Sequence, residues 1–201
     1  GLGNSSMNGL YRGVLLEMKK SGPTESVVFT LSANGQGNCA YQVEMDSDGG
    51  TDSGTMPYAI AGNGAFSIPG DSENRGILST DGSMLVFSEI NNNDSAVHIL
   101  FKAGSGMNNG SLQGEYIFLQ VETDGDSCYG QVTLDGSGNY SATDLYSTEP
   151  IEVEAGTYAV QADGRISIDA DMHGSVSADG EMAALVSLDA SQTLVFLIKK
   201  H

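Results

Sequence analysis

The three histidines are the natural candidates for the base of a hydrolytic site. His98 falls in an apolar run that we predict to be a strand, His173 stands beside a glycine, and His201 ends the sequence. A general base needs an orienting partner within hydrogen-bond reach, and no local spacing around these residues supplies one. No serine lies in a G-x-S-x-G turn between a strand and a helix either. The sequence therefore predicts no catalytic residue.

Paired carboxylates are the second candidate chemistry. Glycoside hydrolysis uses two carboxyl groups roughly 5–10 Å apart, one of them with a raised pKa. Of the 26 acidic residues, only Glu17, Glu44 and Glu89 lie in strongly apolar strand patterns. A chain this rich in carboxylates forms accidental pairs on a solvated outer face. We therefore predict that the protein is not an enzyme.

Calcium is the metal that suits these residues best, because carboxylate and amide oxygens are hard ligands. The densest acidic loop, DSDGGTD, places Asp46, Asp48 and Asp52 in a pattern that resembles the start of a D-x-D-x-D site. It lacks the third acid at its usual place and the glutamate that closes an EF-hand. Asp and Gly are also preferred residues of turns. We expect no cofactor, with calcium at this loop as the alternative.

The two cysteines do not form a recognisable site. They are too few for a disulfide framework, and no spacing with the histidines matches a zinc site. In the internal repeat described below, Cys39 aligns with Tyr140, so Cys128 occupies a different position. A disulfide within one repeat is therefore excluded, and two free thiols or one bridge between the repeats remain.

Four tyrosines are the candidate ligand-binding residues. Tyr combines an apolar ring with a polar tip, so it suits the wall of a binding cavity. Tyr11 and Tyr58 recur at equivalent places as Tyr116 and Tyr158. The alternative is a plain role in the core and at the ends of a barrel.

An internal duplication positions all of these residues. PYAIAGNGAFSI at 57–68 returns 100 positions later as TYAVQADGRISI at 157–168. Asn63-Gly64 and Asp163-Gly164 occupy the same place in the two stretches, and both pairs are typical of two-residue β-hairpin turns. The resulting division is a flexible lead-in at 1–8, a first repeat at 9–103, a glycine-rich linker at 104–111 and a second repeat at 112–201.

Short alternating apolar runs between Gly, Asn, Asp and Ser turns predict the fold. With 27 glycines and 4 prolines, the composition is typical of a turn-rich β-protein. Turn signals recur roughly every 8–12 residues, as in antiparallel sandwiches and barrels. Eight predicted strands in each repeat, without a long crossover, favour a closed meander. We predict an all-β protein of two tandem eight-stranded antiparallel up-and-down barrels.

The charge restricts the partners. The chain has 8 Lys and Arg against 26 Asp and Glu, a net charge of −18. Residues 7–106 carry 5 basic and 11 acidic side chains (−6), whereas residues 112–201 carry 3 and 15 (−12). Nucleic acids and anionic membrane surfaces need clustered basic groups, so both are excluded as partners. No apolar run approaches the roughly 18–20 residues of a transmembrane helix.

The start of each repeat resembles a known family. Gly9-Leu10-Tyr11 and Gly114-Glu115-Tyr116 lie in the first predicted strands and look like the G-x-W motif of calycins, the lipocalin and avidin-type barrels, with Tyr in place of Trp. Lys102 and Lys199 stand near the place where calycins carry an arginine that stacks on this aromatic residue. The repeat as a whole is also similar to tandem β-repeats of secreted bacterial proteins whose function is unassigned. The resemblance implies a barrel and a ligand in its lumen, and no catalytic residue.

The sequence favours a binding or structural function outside the cytoplasm. Gly1 in place of an initiator Met is typical of a processed or trimmed terminus. We expect a secreted, periplasmic or bacterial cell-envelope protein whose signal or lipid anchor has been removed. Medium apolar side chains without Trp favour filled barrels that bind a protein or a glycan at the surface. The alternative is a calycin-like carrier of a small apolar ligand in the lumen.

Overall fold

The computed structural model describes residues 1–21, 24–148, 150, 153–189 and 192–201. The chain folds into two compact units, Gly1–Lys102 and Ala103–His201. Each unit consists of antiparallel strands that curl into a barrel, and every paired neighbour along each sheet is antiparallel. The prediction of an all-β protein with two tandem barrels is confirmed.

The first unit opens with a 3₁₀ turn and continues as a meander. Its sheet order is β4-β3-β2-β1-β9-β8-β7-β6-β5. The elements are η1 (Asn4–Ser6), β1 (Asn8–Lys19), β2 (Glu25–Asn34), β3 (Asn38–Asp46), β4 (Ser53–Pro57), β5 (Ala59–Ile60), β6 (Ala65–Ser67), β7 (Asn74–Leu78), β8 (Met84–Ile90) and β9 (Asp94–Lys102).

The second unit has the same path and closes completely. Its strands follow one another around the barrel from β10 to β17, and β17 pairs with β10. The elements are η2 (Asn109–Leu112), β10 (Gly114–Glu122), β11 (Ser127–Leu134), β12 (Asn139–Ser147), β13 (Val153–Val160), β14 (Arg165–Ile168), β15 (Met172–Val176), β16 (Met182–Ser187) and β17 (Thr193–Lys199).

The first barrel differs from the prediction of eight strands at a single point. Its fourth strand is split into β4 and β5, whereas β13 continues through the equivalent residues. Thr157 in β13 donates its backbone N–H to the Asp169 carboxylate (2.9 Å). Pro57 stands at the same place and has no N–H to donate, so it weakens pairing there. The first sheet therefore has nine strands and remains open between β4 and β5.

The segment at 1–8, for which the sequence predicts a flexible lead-in, packs against one end of the first barrel. The side-chain oxygen of Asn4 accepts the backbone N–H of Ile60 (2.8 Å). The Met7 side chain is fully buried in the core. The sequence interpretation missed this closure because it depends on long-range hydrogen bonds.

The segment at 104–111, predicted as a linker, packs in the same way. Asn109 accepts the backbone N–H of Val160 (2.8 Å), and the Met107 side chain lies in the core of the second barrel. Both repeats thus close one barrel end with a short turn and an asparagine. Within the residues that the structure describes, no helix is long and apolar enough to cross a membrane.

Candidate functional site

The second barrel holds a cavity of about 390 Å³ in its lumen, at the end opposite η2. This volume falls in the usual range for small-molecule sites. A second chamber of about 220 Å³ shares Phe118, Gln120 and Glu122 with it, so both chambers open on the same stretch of β10. The wall of the larger cavity is largely apolar on the side towards the closed end of the barrel. Its apolar residues are Phe118, Val132, Ile168, Met172, Val195 and Leu197.

Alternation along β10 explains the polarity of the cavity. Every second side chain of a strand faces the lumen, and in β10 these are Tyr116, Phe118, Gln120 and Glu122. Tyr116 lies in the closed end next to η2, Phe118 forms the floor, and Glu122 reaches the open end. The site therefore changes from apolar to acidic along one strand.

Small residues on the neighbouring strands keep the lumen hollow. Gly130 pairs with Phe118, and a Cβ added at Gly130 would lie 2.5 Å from the Phe118 ring. The ring thus occupies the volume that a side chain on β11 would otherwise take. Ala142 and Val195 line the wall further around and leave the centre open.

Carboxylates surround the open end of the lumen. The two chambers are lined by seven acidic residues, and none of their described lining residues is Lys, Arg or His. The seven are Glu122, Asp126, Asp144, Glu154, Asp169, Asp171 and Asp189. Burial, followed by the negative charges of Asp144, Glu122 and Glu154, raises the pKa of the neighbouring Cys128 thiol to about 11. The mouth is therefore a region of negative potential.

Hydrogen bonds hold some of these carboxylates in place. Gln120 donates its side-chain N–H to Glu122 (2.7 Å). The Asp169 carboxylate accepts the backbone N–H of Thr157 (2.9 Å) and the hydroxyl of Tyr140 (2.9 Å). The backbone hydrogen bond lowers the pKa of Asp169, while burial and the bond to Asp169 raise the pKa of Tyr140 to about 12. Glu122 and Asp169 are therefore each held in place at the rim by hydrogen bonds.

The interior of the first barrel is occupied by rings at the corresponding height. His98 stacks on Phe87 with centroids 4.0 Å apart, and the edge of Phe29 meets it at 6.0 Å. Burial lowers the pKa of His98 to about 3. Among the described residues, neither ring nitrogen finds a hydrogen-bond partner. The imidazole therefore packs as a neutral aromatic ring.

The structure places the four predicted tyrosines away from the cavity lining. The Tyr11 and Tyr116 hydroxyls donate to the backbone carbonyls of Gly82 (2.6 Å) and Gly180 (2.7 Å). Burial, followed by the nearby Tyr58, raises the pKa of Tyr11 to about 12. Both side chains therefore anchor a hairpin turn across the closed end.

The other pair of tyrosines ties down the closing turns. The Tyr58 hydroxyl donates to the carbonyl of Met7 (2.7 Å), and Tyr158 donates to that of Asn109 (3.0 Å). Burial raises the pKa of both phenols. These contacts describe a structural role at the barrel ends, which was the alternative interpretation of the sequence.

The predicted calcium loop shows the hydrogen bonds of turns. Asp46 accepts the backbone N–H of Asp48 (2.7 Å), and Asp52 accepts the hydroxyl of Tyr41 (2.9 Å). Within the described part of the chain, no group of three or more His, Cys, Asp or Glu residues is arranged to hold a metal ion. Calcium binding at this loop stays a prediction.

Comparisons with known proteins give little further information. No protein-family model matches the sequence, and a search of curated proteins finds no match. Among solved structures, the chain is similar to a protein of unknown function from the DUF3598 family of Nostoc punctiforme. The two are 11% identical, 98% of each chain is covered, and the TM-score is 0.31. We draw nothing further from this likeness.

Sequence reasoning missed the residues of the lumen. Gln120 and Glu122 stand in an ordinary strand alternation, and they acquire meaning only when the strands are aligned around the barrel. A position-by-position comparison of the repeats offered one signal, because the large and small residues at the centre are exchanged between them. Phe29 in the first repeat corresponds to Gly130 in the second.

Proposed function

We propose that this protein is a non-catalytic binding protein that holds a small, largely apolar molecule in the lumen of its second barrel. The observation that carries the proposal is the cavity of about 390 Å³ with its apolar wall towards the closed end. Closed barrels of eight strands have the size at which one small ligand fits inside. No cofactor is proposed for this site.

The second half of the proposal is that the two barrels have different functions, and the interior of the first barrel supports it. Its lumen is filled by Phe29, Phe87 and His98, so we assign it a structural function or a surface function towards a protein or a glycan. The second barrel is then the carrier, in the manner of calycins. Lys199 lies 5.9 Å from the centre of the Tyr116 ring, which parallels the calycin pairing of a cation with the first-strand aromatic. A secreted or cell-envelope location belongs to the same proposal.

Binding of a neutral aromatic probe tests the proposal. We expect 1-naphthylmethanol to bind in a saturable manner, with one probe per chain in isothermal titration calorimetry. Ala142→Tyr installs in the second barrel the residue that Tyr41 supplies at the equivalent position of the first. The added ring fills the lumen, so binding is lost while the β-type circular dichroism is retained.

Leu119→Tyr is the matched control. Leu119 is 49% exposed and lies on the outer side of β10, next to the inward-facing Phe118. This variant adds a ring on the same strand without entering the lumen, so probe binding persists. Absence of saturable binding to the unmodified protein, or equal binding by Ala142→Tyr, contradicts the proposal.

A further inference from the structure

The first barrel carries its own cation at the mouth. Lys19, at the end of β1, places its ammonium 3.2 Å from a Glu17 carboxylate oxygen and 2.9 Å from one of Glu25. All three side chains are about one-quarter exposed. The hydrogen bond to Glu25, followed by that to Glu17, raises the pKa of Lys19. Two carboxylates at this end are thus neutralised from within the chain.

The second barrel keeps the carboxylates and lacks the cation. Tyr11 and Tyr116 are equivalent, so Glu17 corresponds to Glu122. Two residues further on, β1 carries Lys19, whereas the shorter turn after β10 carries Asp124. The register of the following strands aligns Glu25 with Asp126. In the part of the chain that the structure describes, no lysine or arginine forms an ion pair with Glu122. The carboxylate that has an ammonium beside it in the first barrel therefore has none beside it in the described part of the second.

The surroundings of Glu122 favour an organic cation over a metal ion. The described carboxylates of the mouth are spread around the two chambers and do not converge into a group that could chelate a metal. A diffuse negative potential above an apolar wall suits a molecule with an apolar body and a single cationic end. A partly desolvated carboxylate is most stable when it is paired and hydrogen-bonded.

We infer that the ligand of the second barrel is an organic cation whose ammonium group lies at the mouth beside Glu122, in the place that Lys19 fills in the first barrel. This inference rests on the lumen function proposed above and adds the charge of the ligand. The apolar body lies against Phe118 and Val195, and the cationic end stays near water and the acidic rim.

Three probes with the same naphthalene ring test the charge. They are 1-naphthylmethylamine, which is cationic at neutral pH, 1-naphthylmethanol, which is neutral, and 1-naphthoate, which is anionic. We expect the amine to bind about tenfold or more tighter than the alcohol, since a hydrogen bond to a charged group is worth at least that factor. The anion binds weakest. The preference for the amine falls between about 0.02 M and about 0.5 M salt because exposed charges are screened.

Substitutions at the mouth locate the charge recognition. Asp124→Lys places a lysine two residues after Glu122, as Lys19 follows Glu17 in the sequence, so its ammonium competes with the ligand and the tenfold preference disappears while the alcohol still binds. Asp124→Asn is the matched control, because it keeps the acceptor for the Asp126 backbone N–H (3.0 Å) without adding a cation. Glu122→Gln is a second route to the same loss if Asp124→Lys disturbs the turn.

A charge control and the possible outcomes complete the test. Glu73→Lys makes the same change of net charge at an exposed residue of the first unit and leaves the preference intact. Equal binding of amine and alcohol to the unmodified protein overturns the inference and leaves the lumen proposal standing. Failure of all three probes overturns the lumen proposal itself. A preference that survives both Asp124→Lys and Glu122→Gln overturns the placement beside Glu122.

Discussion

The two barrels share their closed ends and differ in the middle. At the closed end, Tyr11 and Tyr116 donate to turn carbonyls in the same way, and Asn4 and Asn109 accept equivalent backbone N–H groups. In the middle layer, equivalent positions carry different volumes. The ends must satisfy buried polar groups, whereas the side-chain volume of the middle layer differs between the two barrels.

One pair of strands shows how the difference arises. Gly13 on β1 faces Phe29 on β2, whereas Phe118 on β10 faces Gly130 on β11. A Cβ at Gly13 would lie 2.5 Å from Leu100, just as one at Gly130 would meet Phe118. The ring has moved from one strand to the next. Three further interior positions are smaller in the second barrel, with Ile166, Leu185 and Val195 in place of Phe66, Phe87 and His98. The exchange therefore accompanies a filled first lumen and a hollow second one.

Removal of a ring from the filled barrel has the largest expected effect. Phe87→Ala leaves a void beside His98 and Phe66, so the free energy of unfolding falls by about 3–5 kcal/mol. Urea denaturation of the full chain measures the loss. Val153→Ala, at a side chain that is 77% exposed, changes stability by no more than about 0.5 kcal/mol. A loss at Phe87 as small as that would show that the first lumen is not tightly packed.

Low pH should destabilise the first barrel through His98, an effect that the second barrel lacks. Its pKa is lowered to about 3, and that of an unfolded histidine is about 6.5. Between these values the unfolded chain binds a proton that the folded chain does not bind, so stability is lost as the pH falls. The loss is about 1.36 kcal/mol per pH unit, or about 2.7 kcal/mol at pH 4.5.

His98→Leu isolates this contribution from that of the carboxylates. The difference in unfolding free energy between the variant and the unmodified protein should shift by that amount between pH 7.5 and 4.5, as measured by urea denaturation. The second barrel has Val195 at the corresponding position, so it has no counterpart of this effect. A constant difference across the range would mean that the imidazole is protonated in place.

The shared closed ends predict equal effects in the two barrels. Asn4→Ala leaves the Ile60 N–H without its acceptor, and Asn109→Ala does the same for Val160, so each costs about 1–3 kcal/mol. Hydrogen exchange at the two amides reports the local loss. Substitution by Asp keeps an acceptor and serves as the control. A large effect in one barrel alone would break the equivalence of the ends.

The smallest effects are expected at the buried hydroxyls. Tyr11→Phe and Tyr116→Phe remove one hydrogen bond to the carbonyls of Gly82 and Gly180 while keeping the ring. Each variant loses about 0.5–1.5 kcal/mol of unfolding free energy in urea denaturation. Neither tyrosine lines the cavity, so both variants still bind the naphthalene probes. Loss of probe binding in Tyr116→Phe would extend the site into the closed end.

Local features of the sequence were enough to predict the fold. Asn63-Gly64 and Asp163-Gly164 mark the same hairpin turn in both barrels, with Gly64 and Gly164 at positive φ. The duplication then settles the number of barrels. The split at Pro57 was missed, although a proline in a strand is a local signal for such a break.

The sequence could not predict the site, because the free volume of a barrel lumen depends on the side chains of all its strands together. Whether Phe118 leaves free volume in the lumen depends on which side chains of β11 and β17 lie opposite it. That is set by the strand register, which cannot be read from the sequence alone. The same is true of Asn4 and Asn109, whose partners lie more than fifty residues away. The chemistry of tyrosine favoured Tyr as the binding residue, whereas small residues such as Gly130 and Ala142 determine the shape of the lumen.

A lumen that is closed at one end also limits the length of the ligand that fits inside it. If the ligand is the organic cation inferred above, its apolar part lies inside the lumen and its cationic end stays at the acidic mouth. Each added methylene increases the buried apolar surface, worth about 0.8 kcal/mol, until the body reaches the floor at Phe118. Beyond that length the ammonium is pushed away from Glu122. The inference therefore predicts that alkylamines bind the second barrel with one best chain length and more weakly on either side of it.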